Sequence, residues 1–172
     1  REQGLLASNP AGMQVTDAGE RILGDLKEYV RELRGLSGLE RHLARLLGLQ
    51  QVIIVPGDSD EDETVKKEMA KATAKYLKAV LQDGDVLAVT GGTTLAEVAR
   101  SFPASTEKRD IMVVPARGGL GEEVEKQANT VAASIADRLG GTYRLLHVPD
   151  DVGEDVIASL CGDPKIKEML DL

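Results

Sequence analysis

Two glycine-rich segments contain the residue types that could hold an anion. The first covers residues 90–94, Thr-Gly-Gly-Thr-Thr, and follows a short apolar run. Glycines allow backbone amides to approach a ligand closely, and the threonine hydroxyls add further donors. The segment lacks both the Gly-Lys-Ser/Thr of a Walker loop and the G-x-G-x-x-G dinucleotide motif. We predict an anion cradle of another type; the alternative is a tight turn in which a threonine only caps the next helix.

The second segment, residues 115–121, reads Pro-Ala-Arg-Gly-Gly-Leu-Gly and places Arg117 beside glycines at a predicted strand end. A guanidinium in such a position can form two parallel hydrogen bonds with a phosphate or a carboxylate. The alternative is an ion pair with a neighbouring acidic side chain. Gln127 and Asn129 are predicted about two turns into the next helix, where neutral amides suit hydroxyl recognition or simply a polar surface.

Residues suited to catalysis or metal binding are few. His147 ends a predicted strand but has no identifiable carboxylate partner, and Cys161 has no activating base in the sequence pattern. One cysteine and two histidines exclude an internal disulfide and make a zinc site improbable. We therefore predict no catalytic residue, no metal and no cofactor. The chain is expected to hold an anion rather than transform it.

Composition and charge narrow the partners and the location. The chain has 172 residues, of which 2% are aromatic, so it has no ring platform for single-stranded nucleic acid. Positive and negative side chains balance in the first 50 residues, and the whole net charge of −8 lies beyond them, which disfavours DNA there. No apolar stretch is long enough to span a bilayer, and no signal peptide opens the chain. We predict a cytoplasmic protein without membrane contact.

The first 48 residues predict a hairpin followed by helices. Residues 1–15 read as two short strands with a turn at Asn-Pro and Gly. Thr16 then begins an amphipathic helical pattern, which Gly35 and Gly38 interrupt before a second amphipathic segment. Two interpretations stay open: a helical hairpin packed on the next domain, or a connecting helix that pairs subunits.

From residue 49 onward, short apolar runs alternate with helical patterns. This alternation predicts an α/β fold with an open, mainly parallel, Rossmann-like sheet and helices on both faces. Ligands of such sheets bind at the carboxyl ends of the strands, where both glycine-rich segments fall. An acidic run at residues 58–63 suits the start of a helix, with a cation-binding loop as the weaker alternative. The predicted strands are 52–55, 86–89, 111–114 and 142–148, and the predicted helices are 64–81, 95–100, 122–139 and one or two after residue 152.

Several motifs resemble those of the SorC/DeoR-type transcriptional repressors that control central glycolytic genes, and the resemblance covers most of residues 45–150. It implies an effector domain with the fold of sugar-phosphate isomerases and glucosamine-6-phosphate deaminase that serves as a sensor. The implied effector is fructose 1,6-bisphosphate or a related sugar phosphate, whose binding relieves repression. A sugar-phosphate isomerase or deaminase on the same fold is the alternative function. The motifs lie at residues 52–58, 88–94, 114–121, 127–130 and 141–146.

The resemblance also implies a site and a domain organisation. Residues 1–15 are expected to be the remnant of a winged helix-turn-helix wing, residues 16–48 a helical linker, and residues 49–172 the first part of the effector domain. Operator DNA would contact only an N-terminal domain preceding residue 1, and the rest of the effector domain would follow residue 172. A homo-oligomer, dimer or tetramer, is implied. The implied ligand contacts are Gly91, Gly92, Thr93, Thr94, Arg117 and Gln127.

Overall fold

A computed structural model of the chain describes residues 3–10, 12–118, 123–148 and 153–171. The chain divides into two compact units, residues 1–54 and residues 55–172. Within the described residues, no helix combines the length and the apolar character needed to cross a bilayer.

The first unit opens with an antiparallel hairpin, which confirms the prediction for these residues. Strand β1 (Leu6–Asn9) pairs with strand β2 (Gly12–Val15) in register from Leu6 opposite Val15 to Asn9 opposite Gly12. That this hairpin is the remnant of a DNA-binding wing stays a prediction.

Two helices complete this unit. Helix α1 (Asp17–Leu33) begins as predicted at Thr16, whose Oγ1 accepts a hydrogen bond from the Gly19 amide at 3.2 Å. Helix α2 (Leu36–Leu47) contacts α1 and contains no buried residue. The apolar stripe of α1 is likewise exposed in the chain as described, including the large side chains of Ile22, Leu26, Tyr29 and Leu33.

The second unit is α/β and follows the predicted order, with the fold class confirmed. Two short helices occupy its end, which agrees with the prediction of one or two helices after residue 152. Its elements are α3 (Glu63–Val80), β3 (Val86–Val89), α4 (Thr93–Ser101), β4 (Met112–Pro115), a 3-10 turn (Val124–Lys126), α5 (Ala128–Leu139), β5 (Thr142–Tyr143), α6 (Glu154–Cys161) and α7 (Pro164–Leu170).

Among the described residues, three parallel strands form the sheet, in the order β3-β4-β5. Val113 and Val114 of the central strand point to opposite faces and are both buried, so this strand is covered on both sides. Helix α5 contacts all three strands, and α4 packs between α3 and α5. The core combines small and large side chains from these elements, with Phe102, Ile111 and Ile135 the largest that are fully buried.

The acidic run before α3 acts as a helix start. A carboxylate oxygen of Asp62 accepts a hydrogen bond from the Thr64 amide at 2.7 Å, which caps the first turn. Asp58 accepts from the Asp60 amide at 2.8 Å in the preceding turn. Two carboxylates of the acidic run thus accept hydrogen bonds from nearby backbone amides.

The prediction of a strand at residues 52–55 is wrong. The segment has no strand partner among the described residues. Instead, the Ile54 amide donates to a carboxylate oxygen of Glu40 at 2.7 Å, and the Ile54 carbonyl accepts from the Arg31 guanidinium at 3.0 Å. Arg31 and Glu40 also form an ion pair. Side chains of α1 and α2 thus take the hydrogen bonds that a neighbouring strand would otherwise supply.

The fourth predicted strand, residues 142–148, is only partly correct. Sheet pairing is limited to β5, although the Arg144 amide still donates to the Val113 carbonyl at 3.2 Å. Beyond that point, the Leu146 backbone bonds to the side chain of Asn129 rather than to a strand. Pairing stops because α5 supplies the next hydrogen-bonding partner.

Candidate functional site

The two predicted ligand segments leave the sheet side by side. Val89 lies opposite Pro115 at the end of the parallel pair β3-β4, and the Ala116 amide donates to the Val89 carbonyl at 2.7 Å. Residues 90–92 and residues 116–118 therefore start from the same carboxyl edge of the sheet. This is the edge at which open α/β sheets bind their ligands.

The first segment starts α4 without any side-chain cap. Gly92 occupies the cap position with φ +116° and ψ 164°, a conformation in which a side chain would be strained. Thr93 is exposed and Thr94 is half-buried in the first helical turn, whose amides have no intrahelical acceptor. Their amides and hydroxyls, together with the positive helix end, are suited to an anion.

The start of α4 is hydrogen-bonded to the turn that precedes α5. The Gly92 amide donates to the Lys126 carbonyl at 2.8 Å, so this donor serves the protein frame and not a ligand. A Cβ at Gly91 would overlap the Lys126 carbonyl and would lie 2.9 Å from the Ala128 amide nitrogen. The glycine at 91 is thus explained by close backbone packing.

The helix predicted over residues 122–139 begins later than expected. Residues 124–126 form a 3-10 turn, and Gln127 is extended with φ −67° and ψ 143°, so α5 starts at Ala128. The prediction that Gln127 and Asn129 lie two turns into a helix is therefore wrong. Gln127 occupies the N-cap position of α5 without a side-chain cap bond and lies beside Gly91, which brings it to the predicted site.

Arg117 lies two residues beyond Pro115 and is exposed. It follows β4 at the same carboxyl edge that leads into residues 90–94. The continuation of its segment, residues 119–121, lies outside the described residues. The described fold thus brings the six predicted residues to one edge of the sheet, around the starts of α4 and α5.

Sequence reasoning missed the structural role of Asn129. This side chain is 8% exposed, and its amide group both donates to the Leu146 carbonyl at 3.0 Å and accepts from the Leu146 amide at 2.9 Å. The signal was its place among the buried positions of α5, because a polar side chain there needs partners. Ala128, Ala132 and Ile135 are buried neighbours in the same helix.

The two residues considered for catalysis have less structural support than the proposed ligand residues. His147 lies on the exposed part of the 144–148 segment, and Cys161 is an exposed free thiol at the end of α6. Across the described ranges, no group of three His, Cys, Asp or Glu side chains could hold a metal ion. The arrangement offers backbone amides, hydroxyls, one guanidinium and one side-chain amide, which is equipment for binding an anion with hydroxyl groups.

The fold and the site define a ligand-binding α/β domain, and comparison with known proteins specifies its class. The family model of sugar-binding domains, Sugar-bind, matches residues 31–172. The chain belongs to this family.

Two curated relatives are central glycolytic genes regulators. That of Priestia megaterium is 43% identical over 100% of this chain and 51% of its own length. That of Bacillus subtilis is 41% identical over 99% of this chain and 50% of its own length. The chain thus spans about half the length of these curated relatives.

A solved structure agrees with the family assignment. A SorC family transcriptional regulator from Enterococcus faecalis has a TM-score of 0.66 and 39% identity, over 78% of this chain and 55% of that one. The chain is therefore similar to transcriptional regulators in both sequence and fold.

Proposed function

We propose that this chain is the effector-sensing part of a transcriptional repressor of glycolytic genes, and that its ligand is a phosphorylated sugar. The observation that carries the proposal is the pair of uncapped helix starts, α4 and α5, tied together by the Gly92–Lys126 bond at the carboxyl edge of the sheet. Two curated relatives above 40% identity are glycolytic gene regulators, which supports the repressor role.

In the proposed site, one phosphate lies at the start of α4. The amides and hydroxyls of Thr93 and Thr94 donate to its oxygens, and Gly91 and Gly92 keep the approach clear of side chains. Arg117 adds a charge-assisted pair of hydrogen bonds from the neighbouring strand end. Gln127, at the start of α5, is placed for a sugar hydroxyl. Fructose 1,6-bisphosphate is the proposed effector.

The effector response involves parts of the protein beyond this site. Operator DNA is contacted by a separate domain, and the repressor acts as a homo-oligomer, dimer or tetramer, in the cytoplasm. The exposed apolar stripe of α1 supports self-association. Binding relieves repression to the extent that the ligand prefers one state of the assembly over the other. The protein acts as a sensor, so we expect no product when it is incubated with sugar phosphates.

Thermal unfolding in the presence of ligand tests the proposal. Fructose 1,6-bisphosphate, fructose 6-phosphate and inorganic phosphate are compared at millimolar concentration. A ligand at one hundred times its Kd adds roughly 2.7 kcal/mol to the stability, which is a clear rise in the unfolding midpoint. We expect the largest rise with the bisphosphate. Equal midpoints with all three compounds and without ligand would contradict the proposal.

Two substitutions locate the binding. Thr94→Ala and Arg117→Ala are each expected to weaken affinity about tenfold or more, since each removes donors to a charged group worth roughly 1.5–3 kcal/mol. The matched controls are Thr73→Ala, a half-buried threonine in α3, and Arg41→Ala, an exposed arginine in α2. Unchanged affinity in both site variants would place the ligand elsewhere.

A further inference from the structure

The segment 144–148 runs along the site edge with little regular structure to hold it. After the single bond from the Arg144 amide to β4, it leaves the sheet. Below it lies an apolar cavity of about 130 Å³, lined by Leu146 and Val148 on this segment and by side chains of α6 and α7. The segment therefore borders an apolar cleft and not another strand, and its position depends on its polar contacts, which include the Arg144–Glu168 ion pair.

The Asn129 side chain supplies the most specific of these contacts. Its two hydrogen bonds, at 3.0 and 2.9 Å, pair with both backbone groups of Leu146, so neither group needs a strand partner. Because the Leu146 carbonyl needs a donor and its amide needs an acceptor, the orientation of the Asn129 amide group is fixed by its partners. Asn129 is buried, so water does not readily replace it.

The same segment then contacts the arginine loop. A Cβ at Gly118 would overlap the carbonyl of Val148, so the two backbones lie in direct contact. Gly118 is the residue after Arg117. The Asn129–Leu146 pair thus fixes a segment whose end rests against the loop that presents Arg117, while Gln127, two residues before Asn129, belongs to the same helix start.

We propose that Asn129 is a positioning residue of the ligand site, which acts through Leu146 and Val148 to hold the Arg117 loop against the sheet edge. The inference rests on the proposed function, because it specifies how that site is kept in a binding geometry. Asn129 itself needs no contact with the ligand. A looser segment 144–148 lets the Gly118 backbone move, and Arg117 then loses its fixed approach to the phosphate.

Asn129→Asp gives a readout that a purely structural role would not change. At pH 8 the carboxylate accepts from the Leu146 amide but cannot donate to the Leu146 carbonyl, so we expect Kd for fructose 1,6-bisphosphate to rise at least tenfold. At pH 5 a protonated carboxyl, favoured by burial, donates again, and most of the affinity should return. Wild type at both pH values corrects for titration of the ligand. A variant with wild-type Kd at pH 8 would overturn the inference.

Gly118→Ala tests the same link from the other end and keeps Asn129 intact. Its Cβ displaces the Val148 carbonyl, so the same rise in Kd is expected without pH-dependent recovery. If Asn129→Asp fails to fold, this variant decides, and wild-type affinity here would overturn the inference. The Leu146 amide should also exchange its hydrogen faster in Asn129→Asp at pH 8, with or without ligand. No binding by wild type would instead contradict the proposed function.

Discussion

Two helix starts in the same α/β unit are built in opposite ways. Helix α3 begins with acidic residues: Asp62 caps the Thr64 amide at 2.7 Å, and Glu63 occupies the first helical position. Helix α4 begins with Gly92, has no side-chain cap, and has Thr93 at the first helical position. Carboxylates of the chain itself thus lie at the positive end of α3, whereas no acidic residue lies in the first turn of α4.

The difference separates a structural helix start from a candidate binding start. The first amides of both helices have no acceptor within the helix, and both ends carry a partial positive charge. A helix end already occupied by carboxylates gains nothing from an external anion. An end with small, neutral residues at the carboxyl edge of a parallel sheet keeps both its charge and its space for a ligand.

The largest effect is expected from filling the space that joins α4 to α5. Gly91→Ala places a Cβ against the Lys126 carbonyl and should cost about 1–3 kcal/mol of stability, because neither backbone can easily move. It should also abolish sugar-phosphate binding. Chemical denaturation and ligand titration measure the two effects. The control is Gly24→Ala, whose new Cβ meets open space in α1 and which should keep wild-type affinity. If Gly91→Ala changes stability and affinity as little as this control does, the packing argument is wrong.

A swap at the first helical position sharpens the comparison. Thr93→Glu gives α4 the acidic start of α3, so affinity for a sugar phosphate should fall at least tenfold, while stability without ligand rises by about 0.3–1 kcal/mol. Glu63→Thr is the reciprocal variant. It should lower the unfolding midpoint slightly and leave affinity unchanged. Retained binding by Thr93→Glu would show that the phosphate does not use this helix end.

The effect of Glu63→Thr on stability should depend on pH. A hydrogen bond from Lys66 lowers the pKa of Glu63 below its ordinary value. A group with a lowered pKa in the folded state stabilises it at neutral pH, and this contribution is lost as pH falls through the lowered pKa. The midpoint difference between wild type and Glu63→Thr should therefore shrink in acid, whereas a constant difference would assign it to packing.

The cap of α3 should affect stability but not ligand binding. Asp62→Ala should cost about 1 kcal/mol, the usual value of a lost side-chain cap, and should leave Kd for the sugar phosphate unchanged. Urea denaturation and ligand titration check both parts. A change in affinity would mean that the starts of α3 and α4 are coupled, contrary to the separation drawn above.

The sequence predicted strands β3 and β4 and the glycine-rich segments that follow them because these depend on local patterns. Apolar runs at 86–89 and 111–114 fall within one residue of β3 and β4. Glycines and threonines after a strand are typical of the carboxyl edge, whatever the distant contacts are. The residues at 90–94 and Arg117 were therefore placed at this edge of the sheet without tertiary information, and their role in ligand binding stays a prediction.

The errors arose where tertiary bonds override local preference. Residues 124–127 fit a helical pattern, but the Lys126 carbonyl accepts from Gly92, and the chain turns before α5. Residues 52–55 are rich in β-branched side chains, yet Glu40 and Arg31 bond the Ile54 backbone in place of a strand. Such partners are far away in sequence, so no local pattern indicates them.

The bond between the Gly92 amide and the Lys126 carbonyl joins two main-chain groups. Most substitutions change side chains and leave such a bond intact, so the spacing of the two helix starts can persist while the surrounding side chains vary. The side chains proposed to bind the ligand, those of Thr93, Thr94, Arg117 and Gln127, are exposed or half-buried and can change without breaking this bond. A change of ligand would therefore require new side chains on this backbone frame and no new backbone fold.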